Sequence, residues 1–174
     1  MVYQKKTDVQ QDIPLSPLPS AVPNLTKETE VHTIDGTMKV VMEKKITQDN
    51  ASTYTFFVAD ISGKNKHTLF TKTASASSTM VLPQNSWSPD GKYLFIRENN
   101  KDSFAIFVFK ASRDAFSNGE LYLDVLPLFT KQKTTERITD VTGWDAPTLL
   151  HVKTTGPSYW FDIESRSFLQ LATK

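Results

Sequence analysis

The amino-acid sequence predicts an all-β fold of three four-stranded antiparallel sheets, and three observations carry that prediction. Trp87-Ser88-Pro89-Asp90-Gly91-Lys92 joins an aromatic residue and a tight turn to the alternating apolar run Tyr93-Leu94-Phe95-Ile96. Worn copies flank it, because Asp35-Gly36 stands fifty-five positions before Asp90-Gly91 and Trp144 stands fifty-seven after Trp87. Between these marks the apolar residues keep the two-residue period of strands, and no long stretch keeps the helical one. A period of this size means repeated supersecondary units, each too small to bury its own apolar faces, which must stack on its neighbours.

Residues 1–28 hold Pro14, Pro17, Pro19 and Pro23 among polar residues, so they are expected to form a flexible, disordered stalk or linker. Ile13, Leu15 and Leu18 are its residues able to pack along a groove. The first unit spans about 29–72. A short strand precedes Asp35-Gly36, Lys39 to Ile46 and Thr53 to Ile61 come next across the turn Thr47 to Ser52, and Ser62-Gly63-Lys64-Asn65 reverses the chain into Lys66 to Thr71.

The second unit spans about 80–131, with strands at Met80 to Trp87, Lys92 to Arg97, Ser103 to Lys110 and Glu120 to Thr130, the last interrupted at Pro127. Its Phe104, Ile106 and Val108 alternate with Ala105, Phe107 and Phe109, so both faces should be covered, as in a sheet held between two others. The third unit spans about 136–174, with strands at Arg137 to Trp144, Leu149 to Thr154, Ser158 to Ile163 and Phe168 to Ala172. Its Asp162-Ile163-Glu164-Ser165-Arg166 repeats the turn Asp60-Ile61-Ser62-Gly63-Lys64.

Trp87-Ser88-Pro89-Asp90-Gly91-Lys92, with its alternating strand and later aspartate turn, resembles the blade repeat of TolB-like β-propellers, which also occurs in propeller domains attached to prolyl oligopeptidase-like peptidases. The first unit departs from the pattern, with His32 and Ile34 in place of Trp and Pro, and the third lacks the Asp-Gly turn. The resemblance implies radially arranged, propeller-like blades whose innermost strand precedes the Ser-Pro-Asp-Gly turn. It also implies about six blades, and four is the usual lower limit for a closed ring. Three units are therefore expected either to stay open or to be completed by dimerisation, the homodimer covering the outer faces.

Composition narrows the function. A formal net charge of +1, from 20 basic and 19 acidic residues, gives no footprint for nucleic acid. With no cysteine, disulfides, thiolate metal sites and a cysteine nucleophile are excluded. No apolar run approaches the roughly twenty residues of a membrane span, so the chain is not expected to insert in a membrane. Met1 to Gln11 lacks the apolar centre of a signal peptide, and its polar, proline-rich continuation has the composition of a segment just downstream of an N-terminal anchor. The expected location is the periplasm or cell surface, tethered by an anchor absent from this chain.

No catalytic centre is expected. His32, His67 and His151 fall at unrelated points of the repeat without metal-ligand spacing, and neither a Gly-x-Ser-x-Gly motif nor a Gly-rich phosphate loop occurs. No metal or cofactor is implied. Asp35, Asp90 and Asp145 each sit at or beside the first reversal of a unit, where a carboxylate serves the turn, with Gly36 and Gly91 as its glycines. Trp87, Trp144 and Trp160 are expected to pack the blades. A binding surface is expected at the end opposite the Asp-Gly turns, with Arg97, Asn99, Asn100 and Lys101 as candidates. The function expected is a non-enzymatic interaction module for protein or cell-envelope polymer. Its alternatives are a propeller fragment accessory to a peptidase and a glycan-binding module using Trp144 or Trp160.

Overall fold

A computed structural model describes residues 26–46, 51–101, 103–133 and 135–172. Within them the chain forms three four-stranded antiparallel sheets, each a simple meander. The first holds β1 (Thr26–His32), β2 (Met38–Ile46), β3 (Ser52–Asp60) and β4 (His67–Ala74). The second holds β5 (Thr79–Val81), β6 (Tyr93–Asn99), β7 (Phe104–Lys110) and β8 (Tyr122–Asp124), followed by helix α1 (Val125–Gln132). The third holds β9 (Ile138–Ala146), β10 (Leu149–Thr154), β11 (Tyr159–Asp162) and β12 (Ser167–Gln170).

The same hydrogen bond closes each unit. The amides of Ile61, Ala111 and Ile163 donate to the carbonyls of Thr37, Lys92 and Thr148 at 2.9, 2.8 and 3.0 Å. These three residues each come directly after the third strand of their sheet, so the bond ties the third-to-fourth-strand turn to the first reversal. The aspartate turns match as well, since Asp60 Oδ1 accepts the Ser62 hydroxyl at 2.7 Å and Asp162 Oδ2 that of Ser165 at 2.7 Å.

The middle sheet is apolar on both faces, and both are covered. Leu94, Ile96, Phe107 and Phe109 enter a core shared with the first sheet, while Phe95, Ile106 and Val108 enter one shared with the third. Burying each such side chain contributes roughly 1.5–3 kcal/mol, and the middle sheet gains it only with neighbours on both sides. Among the described residues no core joins the third sheet to the first, so the stack is open.

Three local expectations need correction. The stalk expected to reach residue 28 gives up its last three residues, because Thr26, Lys27 and Glu28 pair with Lys45, Lys44 and Glu43 in the first sheet; residues 1–25 lie outside the described ones. The strand expected from Met80 to Trp87 is only Thr79–Val81, rejoined by a single bridge from Trp87 to Leu94. Pro83 has no amide to give the ladder, and its carbonyl instead accepts the Ser86 amide at 3.1 Å. The strand expected at Glu120 to Thr130 stops at Asp124, which caps α1 by accepting the Leu126 amide at 3.3 Å. Pro127 lies in the first helical turn, where its missing N–H would have had no partner anyway, and α1 buries Val125 and Phe129 in the second core.

Candidate functional site

The carboxylates at the Asp-Gly end are occupied as turn acceptors. Asp35 Oδ1 accepts the Thr33 hydroxyl at 2.6 Å and the Thr37 amide at 3.1 Å, and the Met38 amide donates to Thr33 Oγ1 at 3.1 Å. Ser88, Asp90, Lys92 and Tyr93 repeat this network at 2.8, 3.2 and 2.9 Å. Gly36 and Gly91 share φ of +69°, a left-handed conformation that disfavours a side chain. Hydrogen bonds from Thr33 first, then from Thr37, hold Asp35 below the ordinary carboxylate range. Burial pushes Asp90 up, but the Ser88 hydroxyl and Lys92 outweigh it and leave the group lowered too. Asp145 does something else, accepting the Trp160 indole N–H at 2.7 Å, with His151 Nδ1 at 3.7 Å.

The tryptophans divide into two kinds. Trp87 donates its indole N–H to the Val31 carbonyl of the first sheet at 3.0 Å, and Trp144 donates to the Ser86 carbonyl of the second at 2.8 Å. Val31 and Ser86 each stand four residues before the turn aspartate, so a single lock recurs at both junctions. Trp144 also stacks on Tyr93, with centroids 6.2 Å apart. Trp160 is not between sheets. Its strand neighbours Tyr159 and Phe161 point into the second core, which puts Trp160 on the outer face of the third sheet, and the packing role expected for it is withdrawn.

The four candidate binding residues do not converge. Arg97 turns toward the third sheet, where its guanidinium meets Asp140 Oδ1 at 3.0 Å, and it lies 4.4 Å over the Phe104 ring. Its Nε donates to Asn99 Oδ1 at 2.7 Å. The Asn100 amide donates to the Ser103 carbonyl at 2.8 Å, closing the hairpin, and Lys101 is left exposed at the tip. Asp102 lies outside the described residues.

At the same end of the stack a cleft opens at each junction between sheets. The first, about 270 Å³, is lined by Lys27, Thr29, Met42, Lys44, Tyr54 and the stretch Thr79 to Leu82. The second, about 560 Å³, is lined by residues including Phe104, Phe129, Arg137, Thr155 and the stretch Glu136 to Thr139. They are equivalent in the repeat. Tyr54 and Phe104 each precede by seven the residue whose amide closes the unit, and Thr79 and Glu136 each precede the junction tryptophan by eight.

Each cleft has a buried polar atom in its lining without a hydrogen-bond partner. In the first it is the Tyr54 hydroxyl, on a side chain only 1% exposed; in the second it is Glu136 Oε2. Lys44 Nζ lies 5.5 Å from the Tyr54 ring centroid. Below the second cleft, burial and then the Glu136 carboxylate push the Tyr159 phenol up to about 12. The first cleft therefore gathers cations around a phenol, and the second sets a carboxylate beside one.

Sequence reasoning points to this end of the stack but not to these residues. Lys27 falls within the segment expected to be stalk, and Tyr54 reads as one more inward aromatic residue. The signal available was the repeat itself, which sets a hydroxyl-bearing ring where the next unit has Phe104.

No protein-family model matches this chain, and no curated protein matches it.

Proposed function

We propose that the chain is a non-enzymatic interaction module of the TolB-like propeller type, acting outside the cytoplasmic membrane and binding a partner protein through the end opposite the Asp-Gly turns. The observation that carries this is the pair of repeat-equivalent clefts at that end, each with an unpartnered buried polar atom in its lining. Buried polar groups normally find partners, and clefts walled by strands hold them in fixed positions for one that arrives from outside. At the opposite end Asp35 and Asp90 are spent on their own turns.

The test is photo-crosslinking in the native cell from a probe residue at Lys101, beside the clefts, compared with one at Lys64, in a turn at the other end. A partner captured at Lys101, then purified and shown to rebind the isolated chain, is expected. Equal capture from Lys64 overturns the assignment of the binding end.

The glycan-binding alternative has one observation of its own. Trp160 lies on an outer sheet face with its indole tied to Asp145, an aromatic platform beside a carboxylate. Glycan-array binding lost on Trp160→Ala would favour it.

A further inference from the structure

We infer that the cleft between the first and second sheets binds a carboxylate carried on a short apolar body. This rests on the proposed binding end and adds the chemistry of the ligand. The phenol of Tyr54 is buried to 1% exposure, and its hydroxyl has no partner. A buried O–H with nothing to donate to is satisfied by an incoming acceptor. Phe104 at the equivalent position in the second sheet shows that the fold builds this strand without the hydroxyl.

The charge around that hydroxyl sets the sign of the acceptor. Lys27 and Lys44 line the cleft, no acidic residue does, and among the described residues neither lysine has a carboxylate partner. Lys44 Nζ stands 5.5 Å from the centroid of the Tyr54 ring, so the ammonium shares the cleft with the phenol and adds a charge-assisted contact for an incoming carboxylate. The rest of the lining sets the apolar Met42, Met80, Val81 and Leu82 beside Thr29 and Thr79, and methionine adapts readily to small apolar shapes. At about 270 Å³ the space lies just below the usual range of ligand pockets, which fits a single side chain or a short acyl chain. Two sources share this chemistry, a free short-chain fatty acid and the C-terminal residue of a peptide with an apolar side chain.

The test is calorimetric titration of the full chain with octanoate and with N-acetyl-leucine, alongside octanamide as the uncharged control. One acid per chain is expected, with octanamide at least about tenfold weaker and Tyr54→Phe weakening the acid by about tenfold through the lost charge-assisted hydrogen bond. Lys44→Met is expected to weaken it as well, and Lys64→Ala, in an exposed turn at the other end of the stack, to leave it unchanged. Tighter binding of octanoate points to the free acid, and tighter binding of N-acetyl-leucine to a peptide terminus. Absence of binding by both acids, equal binding of octanamide, or unchanged binding by a folded Tyr54→Phe overturns the inference. If the acids fail while the Lys101 probe still captures a partner that rebinds, the inference falls and the binding end stands.

Discussion

The two junctions of this stack are built from the same parts and finished differently. At each, a tryptophan from one unit donates its indole N–H to a carbonyl of the unit before, at 3.0 and 2.8 Å. At the first junction the lock is sealed, because Trp87 is 5% exposed and sits in the core with Val31, Val40 and Leu94. At the second, Trp144 is only partly buried against the core. Their polar ties differ in the same direction. Glu98, 7% exposed, takes Lys72 at 2.6 Å and the Ser78 hydroxyl at 2.7 Å at the first junction, whereas Arg97 and Asp140 meet in a more open setting at the second. Repetition has kept the lock and let its surroundings drift, so one scaffold carries two unlike clefts.

The largest expected effect comes from removing the locks. Trp87→Ala should cost about 3–5 kcal/mol, the usual range for deleting a buried aromatic side chain, and Trp144→Ala about 1–3 kcal/mol because less of its ring leaves water. Urea unfolding followed by circular dichroism reads both. If Trp144→Ala costs as much as Trp87→Ala, the ranking of the junctions by burial is wrong. Separate transitions in Trp144→Ala would instead sharpen the comparison, by showing that the third sheet can leave first.

Such a ranking is only partly legible in the sequence. The three units, the Asp-Gly turns and the two-sided burial of the middle sheet come from local chemistry, since alternation and turn residues act over a few positions. The helix escapes because Pro127 reads as a strand interruption unless Asp124 is taken as a cap, and both readings satisfy the same residues. Arg97 reads as a hairpin-tip residue because its partner Asp140 is forty-three positions away, and nothing local announces it. The clefts are hidden for a related reason. A buried Tyr54 and a buried Phe104 give the same apolar pattern, and only packing shows that one hydroxyl has been left without a partner.

The middle effect tests the sealed tie through pH. Burial raises the Glu98 carboxyl, while hydrogen bonds from Lys72 and Ser78 and the charge of Lys72 more than offset it, leaving the group below the ordinary glutamate value. A carboxyl lowered by folding gives stability that is complete above its unfolded pKa and is lost as pH falls through its lower folded one. Glu98→Gln should therefore cost about 1–3 kcal/mol at pH 7, with the gap to the unsubstituted chain narrowing as pH falls below the ordinary glutamate value. Asp124, which burial first and the Glu98 charge last push above the ordinary aspartate value, loses that last push in Glu98→Gln, so its own titration adds a smaller term to the difference. Urea midpoints from pH 7 downward check it, and a gap that does not narrow as pH falls would assign Glu98 a packing role only.

The smallest effect belongs to the adjacent residue of the same strand. Arg97 and Asp140 have side chains 29% and 44% exposed, so water screens their attraction, and Asp140→Asn should cost only about 0.2–1 kcal/mol. Adding salt should shrink even that, since an ion pair this open lies within reach of counterions. Arg97 would hold its place without Asp140, because Asn99 Oδ1 at 2.7 Å and the Phe104 ring at 4.4 Å still fix its guanidinium. Arg97→Ala should accordingly cost more than Asp140→Asn, by the packing of its stem rather than by its charge. Because strand alternation sends Glu98 to one junction and Arg97 to the other, these neighbouring residues give a matched pair of probes. A cost for Asp140→Asn equal to that of Glu98→Gln at pH 7 would mean that the second junction is as closed to water as the first.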